Sequence, residues 1–491
     1  MKRSHIILFT ADEMRADRLG HIAGTRSSLT PHLDQLVRTD AVSFTENYCQ
    51  NPVCTPSRCS FMSGWYPHVR GHRTMHHMLA PEDQCLLKLA KDDGYYVWWG
   101  GKNDLIPSDA DLSQYVSFRC QPGPEDQLAP NPHMDTKWRG PADGPLYYSF
   151  LAGEAAPTRP NGDMLDFDLW NVESAVRFLE TYDREEPFLL YLSITLPHPP
   201  YYVEKKWLDQ ITADHRHTPI PQPDWELKPS ILQKIQERRR MTDADPALLQ
   251  QISDTYDAMC MRVDHQVGMI LDALQRTGLY DNTAFFFLSD HGDFAGDYGL
   301  VEKTQNTFED CLTHTPLIFK PPVDLPVRPG VRSSITENID IFATVLDLTG
   351  IAPALPHFGR SLLPALEQET LIRHFAHAEG GRLKNELHCR EAESPGATEE
   401  TDLYWPRVGL QQLCDTPMYH TKACMIRNDR YKYVRRFYEI DEFYDLKQDP
   451  EELHNLIHDP RRKDMISYMR DKMLSFYMET CDIVPFETDA R

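Results

Sequence analysis

Short apolar runs alternate along this chain with segments in which apolar residues recur every three or four positions. The runs are rich in β-branched and aromatic residues, so they predict strands. The predicted strands cover residues 5–10, 95–99, 188–195, 284–289 and 317–320. Helical spacing between residues 256 and 274 predicts a long helix, with Gly278 as its C-cap. We therefore predict an α/β fold with a mostly parallel sheet flanked by helices.

The pattern changes after about Leu371. A polar segment extends through Glu400, and the run KACMIRNDRYKYVRRFYEIDEFYDL then alternates in the way that predicts antiparallel strands. A last helical pattern lies near residues 465–476. We expect a large domain at residues 1–370 and a smaller C-terminal α+β domain with an antiparallel sheet at residues 371–491.

Two stretches rich in proline and glycine predict long loops. They cover residues 121–163 and 197–224. Because such loops tend to shape the substrate site in α/β folds, we expect a substrate pocket beside them.

The composition is that of a globular enzyme, with 41% hydrophobic and 25% charged residues among 491. The 51 Lys and Arg residues against 74 Asp and Glu residues give a net charge of −23. A surface of this sign repels nucleic acid and anionic lipid, so we expect neither as a partner. An anionic substrate would need a local positive pocket.

The apolar runs predict neither export nor a membrane span. The first run is short and leads straight into acidic residues, unlike a signal peptide, and the run FLLYLSITL is too short to cross a bilayer. The 11 cysteines form no C-x-x-C pair, which favours free thiols in a reducing compartment. We expect a cytoplasmic protein without a membrane partner.

Polar clusters follow three of the predicted strands. The first strand leads into Asp12 and Glu13, the third into His198, and the fourth into Asp290 and His291. The carboxyl ends of parallel strands gather functional groups, and carboxylates with an imidazole suit Ca²⁺, Mg²⁺ or Mn²⁺. An Asp after a strand also caps helices and forms turns, so each cluster alone fits a structural role as well.

The stretch NPVCTPSR at residues 51–58 resembles the sulfatase signature C-x-P-S-R, and FMSGWYPHVRG resembles the family's continuation. Further marks of the family occur in its order along the chain: ADEMRAD, GGKND, LPHPPY, SDHGD, EKTQNTFED and FYDLKQDPEELHNL. On these motifs the chain is identified as a member of the formylglycine-dependent type I sulfatases. The resemblance implies the alkaline-phosphatase-like fold over nearly the whole chain.

In that family a separate maturing enzyme oxidises the signature cysteine to formylglycine. The resemblance therefore implies that Cys54 is the precursor of the nucleophile. One hydroxyl of the hydrated aldehyde attacks the sulfate ester, and the second hydroxyl then expels sulfate from the covalent intermediate. A serine ester would lack this exit. The alternatives for Cys54 are an inert buried thiol and a nucleophile that stays unmodified.

The resemblance also implies a divalent metal held by Asp12, Glu13, Asp290 and His291, with Ca²⁺ expected first and Mn²⁺ or Mg²⁺ as alternatives. The metal would bind a sulfate oxygen and lower the pKa of the formylglycine hydroxyl. Glu13 departs from many relatives, which carry Asp there, and its longer arm could act through water. His291 stands where either Asn or His occurs in relatives.

Four further residues match catalytic positions of the family. Arg58, four residues after Cys54, would orient the nucleophile and offset the charge of the sulfate. Lys102 and Lys303 match the two lysines that bind sulfate and stabilise the transition state. His198 matches the histidine that protonates the leaving alcohol, alone or with Lys303. Their structural alternatives are surface ion pairs and a loop hydrogen bond.

Asp104 marks the main departure from the family pattern. Relatives commonly carry His at this position, two residues after the first lysine, where it contacts the formylglycine hydroxyl. A carboxylate could act as the base that begins collapse of the covalent ester, although it would also repel sulfate. Alternatively, His76 or His77 reaches the site, and of these two we expect His77 to contact the substrate.

These residues predict a sulfuric ester hydrolase that cleaves the sulfate monoester of a small sugar or phenol, with choline sulfate also open. The alternative is a phosphonate monoester or phosphodiester hydrolase of the same superfamily, whose opening motif resembles D-Q. Glu13 and the Ser57-Arg58 pair favour sulfate. A second alternative is an inactive binding homologue. The expected partners are a small anionic sulfate ester and the maturing enzyme, and the sequence leaves a homo-oligomer open.

Overall fold

An eight-stranded sheet forms the centre of the fold in the computed structural model, which describes residues 3–24, 28–133, 135–391, 398, 400–412 and 417–488. The strands are β1 (His5–Asp12), β2 (Val42–Tyr48), β3 (Tyr96–Gly101), β4 (Phe118–Cys120), β5 (Leu151–Ala155), β6 (Phe188–Pro197), β7 (Tyr201–Glu204), β8 (Thr283–Ser289), β9 (Leu317–Lys320), β10 (Gly330–Glu337), β11 (Ala376–Gly380), β12 (Ala423–Arg427), β13 (Tyr431–Arg436) and β14 (Glu442–Asp445). The large sheet has the order β10-β2-β9-β8-β1-β6-β3-β4. β9 runs antiparallel to both neighbours, whereas β8, β1, β6, β3 and β4 run parallel. This confirms the predicted mostly parallel sheet.

Helices cover both faces of this sheet. The helices of the described residues are α1 (Gly20–Ala23), α2 (Pro31–Thr39), α3 (Cys54–Ser63), α4 (Pro67–Arg70), α5 (Leu86–Asp92), α6 (Phe167–Thr181), α7 (Lys205–Leu208), α8 (Ser230–Arg238), α9 (Pro246–Thr277), α10 (Asp310–Thr313), α11 (Asp340–Thr349), α12 (Trp405–Gln412) and α13 (Lys463–Thr480). Of these, α13 packs instead on β12, β13 and β14. Alternate residues of β1 enter two cores: Ile7 and Phe9 join the core that contains α9, and Ile6 and Leu8 join the core that contains Phe342 of α11. Because both faces are covered, every residue of β1 and β8 is buried, which explains their apolar sequences.

The parallel arrangement brings the carboxyl ends of β1, β6 and β8 to one edge of the sheet. Asp12 of β1 pairs with Pro197 of β6, and β8 ends at Ser289. The next residues along the chain, His198 and Asp290, therefore leave the sheet close to Asp12. The three polar clusters that the sequence places after strands meet at this edge.

The long predicted helix is α9. It runs from Pro246 to Thr277, and Gly278 ends it with a φ of 70°, a left-handed conformation that glycine adopts without steric cost. Asp245 caps the other end by accepting a hydrogen bond from the N–H of Ala247. The first turns are partly exposed and carry a weaker apolar pattern, so the periodicity detects the helix only from Tyr256.

A smaller antiparallel sheet follows, with the order β11-β12-β13-β14. The predicted alternating run forms β12, β13 and β14, and the predicted last helix is α13. The sheet contacts segments close to the carboxyl edge of the large sheet. Nδ2 of Asn51 donates to the carbonyl of Glu379 at 2.7 Å, and Nζ of Lys432 donates to the carbonyl of Phe308 at 2.8 Å. The boundary between residues 370 and 371 stays a prediction.

Some elements differ from the sequence-based expectations. The two predicted loops contain a short parallel pair, β5 with β7, and the patterns also miss β2, β4, β10 and β11. The sequences VSFTENY in β2 and GVRSSITE in β10 are too polar to form an apolar run. Pairing of β2 with β10 across the sheet fixes both strands, because tertiary context overrides local propensity.

The described residues include ten cysteines, and all ten are free thiols. Cys414 lies outside the described residues. Among the helices that the structure describes, none combines the length and apolar character needed to cross a membrane.

Gly64 ends α3, the helix that begins at Cys54, with a φ of 73°. A Cβ added there would lie 2.7 Å from Cδ1 of Phe342, whereas a Cβ added to Gly350, which ends α11 with a φ of 72°, meets no atom within 4 Å. We expect Gly350→Ala to cost about 1 kcal/mol of stability for the left-handed backbone. Gly64→Ala should cost about 1–3 kcal/mol more because it overpacks the contact. Urea unfolding measures both, and equal costs would contradict the tight packing of α3 on α11.

Candidate active site

Cys54 is the first residue of α3 and points into a buried polar cluster. Its Sγ lies 3.3 Å from Nε2 of His291, 3.4 Å from Nζ of Lys102 and 3.5 Å from Oδ1 of Asp12. Burial raises the pKa of the Cys54 thiol well above its usual value, and Asp12 adds to this effect although Lys102 opposes it. The unmodified side chain is therefore a neutral thiol, and a poor nucleophile.

Arg58 lies one helical turn after Cys54 and is completely buried. Its Nη2 donates to Oδ2 of Asp12 at 2.9 Å, and its Nε donates to Oδ2 of Asp290 at 2.8 Å. Nη1 contacts the hydroxyls of Tyr191 and Ser193. The guanidinium thus joins α3 to the ends of β1, β6 and β8, and it neutralises charge that would otherwise be buried unpaired.

Cys54 and three groups around it form a candidate metal site. Ligand atoms of Asp12, Glu13, Cys54 and His291 all lie within 4.8 Å of one another, and all four residues are buried. Oε2 of Glu13 and Oδ2 of Asp293 accept no hydrogen bond from any described residue. Burial raises the pKa of Glu13 well above its usual value, with Lys303 opposing and Asp293 adding to the shift. Two neighbouring buried carboxyl groups, one of them with a raised pKa, fit a bound cation.

Asp290 lies beside this set and already accepts several hydrogen bonds. Its Oδ1 accepts from the backbone N–H groups of Glu13 at 3.2 Å and His291 at 2.9 Å. Glu13 has a φ of 70°, which costs about 1–3 kcal/mol for a residue with a side chain and is typical of functional sites. The hydroxyl of Tyr256 donates to the carbonyl of Glu13 at 2.6 Å and helps to hold this conformation.

Each of the two predicted lysines is held by two carboxylates. Lys102 Nζ lies 2.5 Å from Oδ2 of Asp12 and 2.9 Å from Oδ2 of Asp104. Lys303 Nζ contacts Oε1 of Glu13 and lies 3.1 Å from Oε1 of Glu302. Although burial alone would lower the pKa of each lysine, these carboxylates hold both pKa values well above normal. Both side chains are therefore cationic.

His198 lies next to the second lysine. Its Nδ1 is 2.6 Å from the carbonyl of Pro199 and donates to it, so Nε2 faces Lys303 Nζ at 3.2 Å and Glu13 Oε1 at 3.1 Å. Burial lowers the pKa of His198 well below its usual value, and Lys303 and Lys102 lower it further. The resting imidazole is neutral and its Nε2 accepts a hydrogen bond from the lysine.

The structure thus brings together nine of the predicted site residues: Asp12, Glu13, Cys54, Arg58, Lys102, His198, Asp290, His291 and Lys303. Asp104 joins them through Lys102. His77 instead pairs its Nδ1 with Oγ1 of Thr74 at 2.5 Å, and its ring lies 6.2 Å from that of His388. Among the described residues, no hydrogen bond or ion pair joins His77 to the cluster, and its substrate contact stays a prediction.

Sequence reasoning misses two groups of residues that support the site. Tyr191 and Ser193 are two positions apart on β6 and therefore point to the same face of the sheet. Two hydroxyl side chains within the apolar run FLLYLSIT are the sequence signal that would have revealed them. His133 and Tyr404 have no such signal. Their rings lie 6.0 and 6.4 Å from the ring of His198 although the two residues are far apart in sequence.

Comparison with protein families supports the family resemblance that the sequence motifs indicate. The family model described as Sulfatase matches residues 4–351, and a model described as N-sulphoglucosamine sulphohydrolase, C-terminal, matches residues 415–479. A multifunctional alkaline phosphatase superfamily protein of Trinickia caryophylli is 26% identical, with 98% of this chain and 96% of the relative covered. Arylsulfatase K of Bos taurus is 23% identical, with 92% and 78% covered.

Solved structures share the fold of this chain. Phosphonate monoester hydrolase of Agrobacterium radiobacter superposes with a TM-score of 0.73 at 23% identity, covering 97% of this chain and 96% of that one. A protein solved in complex with its substrate, D-glucosamine-2-N,6-O-disulfate, superposes with a TM-score of 0.69 at 19% identity, covering 98% of both chains. At these identities the likeness shows the fold.

The buried bridge made by Arg58 predicts a large effect on stability. Arg58→Met would leave Asp12 and Asp290 without their shared cation, which should cost about 3–5 kcal/mol. Arg276→Met is the matched control, because Arg276 pairs with Glu180 at 2.8 Å in solvent and should change stability by less than about 1 kcal/mol. Urea unfolding of the two variants decides the matter, and a small effect at Arg58 would contradict its structural role.

Proposed function

Because the chain belongs to the sulfatase family, we propose that this enzyme hydrolyses the sulfate monoester of a sugar or phenol with a nucleophile made from Cys54. The observation that carries the proposal is the surroundings of Sγ, which lies within 3.5 Å of an imidazole, an ammonium group and a carboxylate in a buried site. A structural cysteine does not need three such polar partners, whereas the precursor of a nucleophile does.

Cys54 would be converted to formylglycine by a separate maturing enzyme. The hydrated aldehyde supplies an oxygen nucleophile that a thiol with a raised pKa does not. The start of α3 directs unpaired backbone N–H groups towards an anion at this position. Lys102 and Lys303 attract the sulfate oxygens from two directions and stabilise the charge that grows on them. Arg58 connects the start of the helix to Lys102 through Asp12. Its other partner, Asp290, accepts the backbone N–H of Glu13, and the side chain of Glu13 contacts Lys303.

Asp12, Glu13, Asp290 and His291 would hold a divalent metal, with Ca²⁺ proposed first because the set is rich in carboxylate oxygens and Mn²⁺ or Mg²⁺ as alternatives. When bound, the metal supplies Lewis acidity that polarises a sulfate oxygen. His291 can present Nε2 to the site because its Nδ1 is fixed on the carbonyl of Gly292 at 2.9 Å.

His198 would protonate the leaving oxygen. Its Nδ1 stays on the carbonyl of Pro199, so the proton is delivered from Nε2. Lys303, 3.2 Å away, can pass a proton to Nε2 as negative charge develops on the leaving group. Asp104 can take the proton of the second aldehyde hydroxyl, either directly or through Lys102.

The second candidate is a phosphonate monoester hydrolase of the same fold. It is favoured by the likeness to the Agrobacterium radiobacter enzyme. Glu13 argues against it, because the opening motif of such enzymes resembles D-Q, with Gln at the position of this carboxylate. An inactive homologue is disfavoured, since nucleophile precursor, arginine, lysines, histidine and acids all meet in one cluster. A cytoplasmic location and a separate maturing enzyme as a partner stay predictions from the sequence.

The proposal predicts an aldehyde at Cys54 in active protein. After expression with a maturing enzyme, mass spectrometry of the tryptic peptide of residues 39–58 should show the aldehyde, and the same sample should turn over aryl sulfate faster than aryl phosphonate monoester. Cys54→Ser should abolish turnover, because a serine ester has no second hydroxyl to expel sulfate. Cys49→Ala, in the same peptide, should keep turnover and the aldehyde.

Faster cleavage of the phosphonate would favour the second candidate. An aldehyde without turnover of either ester, or turnover that persists in Cys54→Ser, would contradict the assigned chemistry.

The role of His198 predicts a dependence on the leaving group. Nitrophenolate leaves without protonation, whereas unsubstituted phenolate gains from an acid, and general acid catalysis is worth about 10²–10⁴-fold. His198→Ala should therefore lower kcat/KM for phenyl sulfate about 100-fold and for nitrophenyl sulfate much less. A Brønsted plot over a series of phenols measures this difference, and an equal loss across the series would argue against proton donation.

A further inference from the structure

A cavity of about 260 Å³ adjoins the catalytic cluster and shares His198 with it. Residues 128–133, the start of α6 and the end of β6 line the cavity. It is smaller than the roughly 300–1,000 Å³ of pockets that hold drug-sized ligands. Its size therefore suits a single ring, and His198 connects it to the position where the ester bond breaks.

The rings of His133 and His198, which line the cavity, lie together with the ring of Tyr404 behind them. The centroid of His133 lies 6.0 Å from that of His198 and 6.2 Å from that of Tyr404, and the centroids of His198 and Tyr404 are 6.4 Å apart. Burial lowers the pKa of His133 to about 4, and Lys102 and Lys303 add to the shift. The rings are therefore uncharged near neutral pH. Such flat, neutral side chains stack on another ring.

The charges of this cavity contrast with those of the sulfate site. Of the described residues that line it, none is Lys or Arg, while Asp166 and Asp168 are both present. Behind them, Arg262 lies 2.6 Å from Oδ2 of Asp166 and 3.3 Å from Oε2 of Glu204, so these two carboxylates share one guanidinium.

Burial raises the pKa of Asp168 to about 7, and the neighbouring Asp166 adds to this shift, although backbone N–H groups and Arg262 oppose it. Both oxygens of Asp168 accept backbone N–H groups, those of Thr195 at 2.8 Å and Leu196 at 2.7 Å. The acid is therefore held in place at the end of β6 and cannot turn away from a ligand.

We propose that this cavity binds the leaving group and selects an uncharged single ring over an anionic one. The proposal rests on the proposed sulfate ester hydrolysis and adds the class of substrate. The two lysines and the arginine that could offset an anion all contact carboxylates at the sulfate end. A carboxylate or a second sulfate on the leaving group would lie instead against Asp166 and Asp168. Esters of neutral sugars or phenols avoid this repulsion.

The test compares two substrates of nearly equal shape, 4-carbamoylphenyl sulfate and 4-carboxyphenyl sulfate. We expect kcat/KM to be about tenfold higher for the neutral amide. Leu128→Lys adds a cation to the cavity wall and should lower this ratio about fivefold or more. Val323→Lys, on an exposed side chain outside the cavity lining, adds the same charge and should leave the ratio unchanged. Comparing ratios between variants cancels the intrinsic reactivity of the two phenols.

A ratio that is the same in Leu128→Lys and Val323→Lys would overturn the proposal, and so would a wild-type preference for the carboxylate. If Leu128→Lys loses the fold, Asn131→Lys on the exposed rim repeats the test. The inhibition constant of inorganic sulfate should not change, because sulfate fills the other end of the site. Nitrophenyl sulfate tests the proposed function separately: turnover of it without charge selectivity contradicts the cavity alone, whereas no turnover contradicts both.

Discussion

Arg58 bridges Asp12 and Asp290 where water is excluded, and the rest of the active site is arranged around this bridge. Asp12 ends β1, Asp290 follows β8, and Arg58 lies one turn into α3, so one guanidinium fixes the relative positions of three elements. Cys54 begins that same helix, and its Sγ can meet Lys102 and His291 only if the helix starts at this place. A buried ion pair contributes little net stability to the fold, but it fixes the geometry of the groups that it joins. Loss of either partner leaves a buried charge unpaired and lowers the stability of the protein.

The same cluster shows why an acidic enzyme can bind an anion. Around Cys54, the cations Arg58, Lys102 and Lys303 contact five acids: Asp12, Glu13, Asp104, Asp290 and Glu302. The protein's own cations are therefore already engaged by its acids. A dication held by the acids would add the positive charge that an anionic ester needs. The raised pKa of buried Glu13, which Asp293 increases further, is consistent with a site built to be completed by a cation.

The sequence predicts most of this chemistry for a definite reason. Apolar runs mark β1, β6 and β8, and the parallel topology brings the polar residues after each run to one edge, so Asp12, His198 and Asp290 can be assigned before the structure is known. Polar strands such as β2 and β10 escape prediction because pairing across the sheet stabilises them. Tertiary contacts alone join His133 to Tyr404, and no local pattern encodes a contact between loops that are distant in the chain.

The residues proposed to carry out the reaction and those proposed to select the substrate lie in different parts of the fold. Under the proposed function, most groups that act on the sulfate follow strands or begin a helix, where the sheet fixes the backbone and a shift of one residue would destroy the site. Lys303 is an exception, since it lies in the loop before α10. Residues 128–131 and His133 of the cavity come from a connecting segment that can change in sequence without disturbing β1 or β8, whereas Asp166 and Asp168 lie at the start of α6. His198 belongs to both sets, since it follows β6 and also lines the cavity. A different leaving group can therefore be accommodated by changes in this loop and at the start of α6, around a histidine that stays in place.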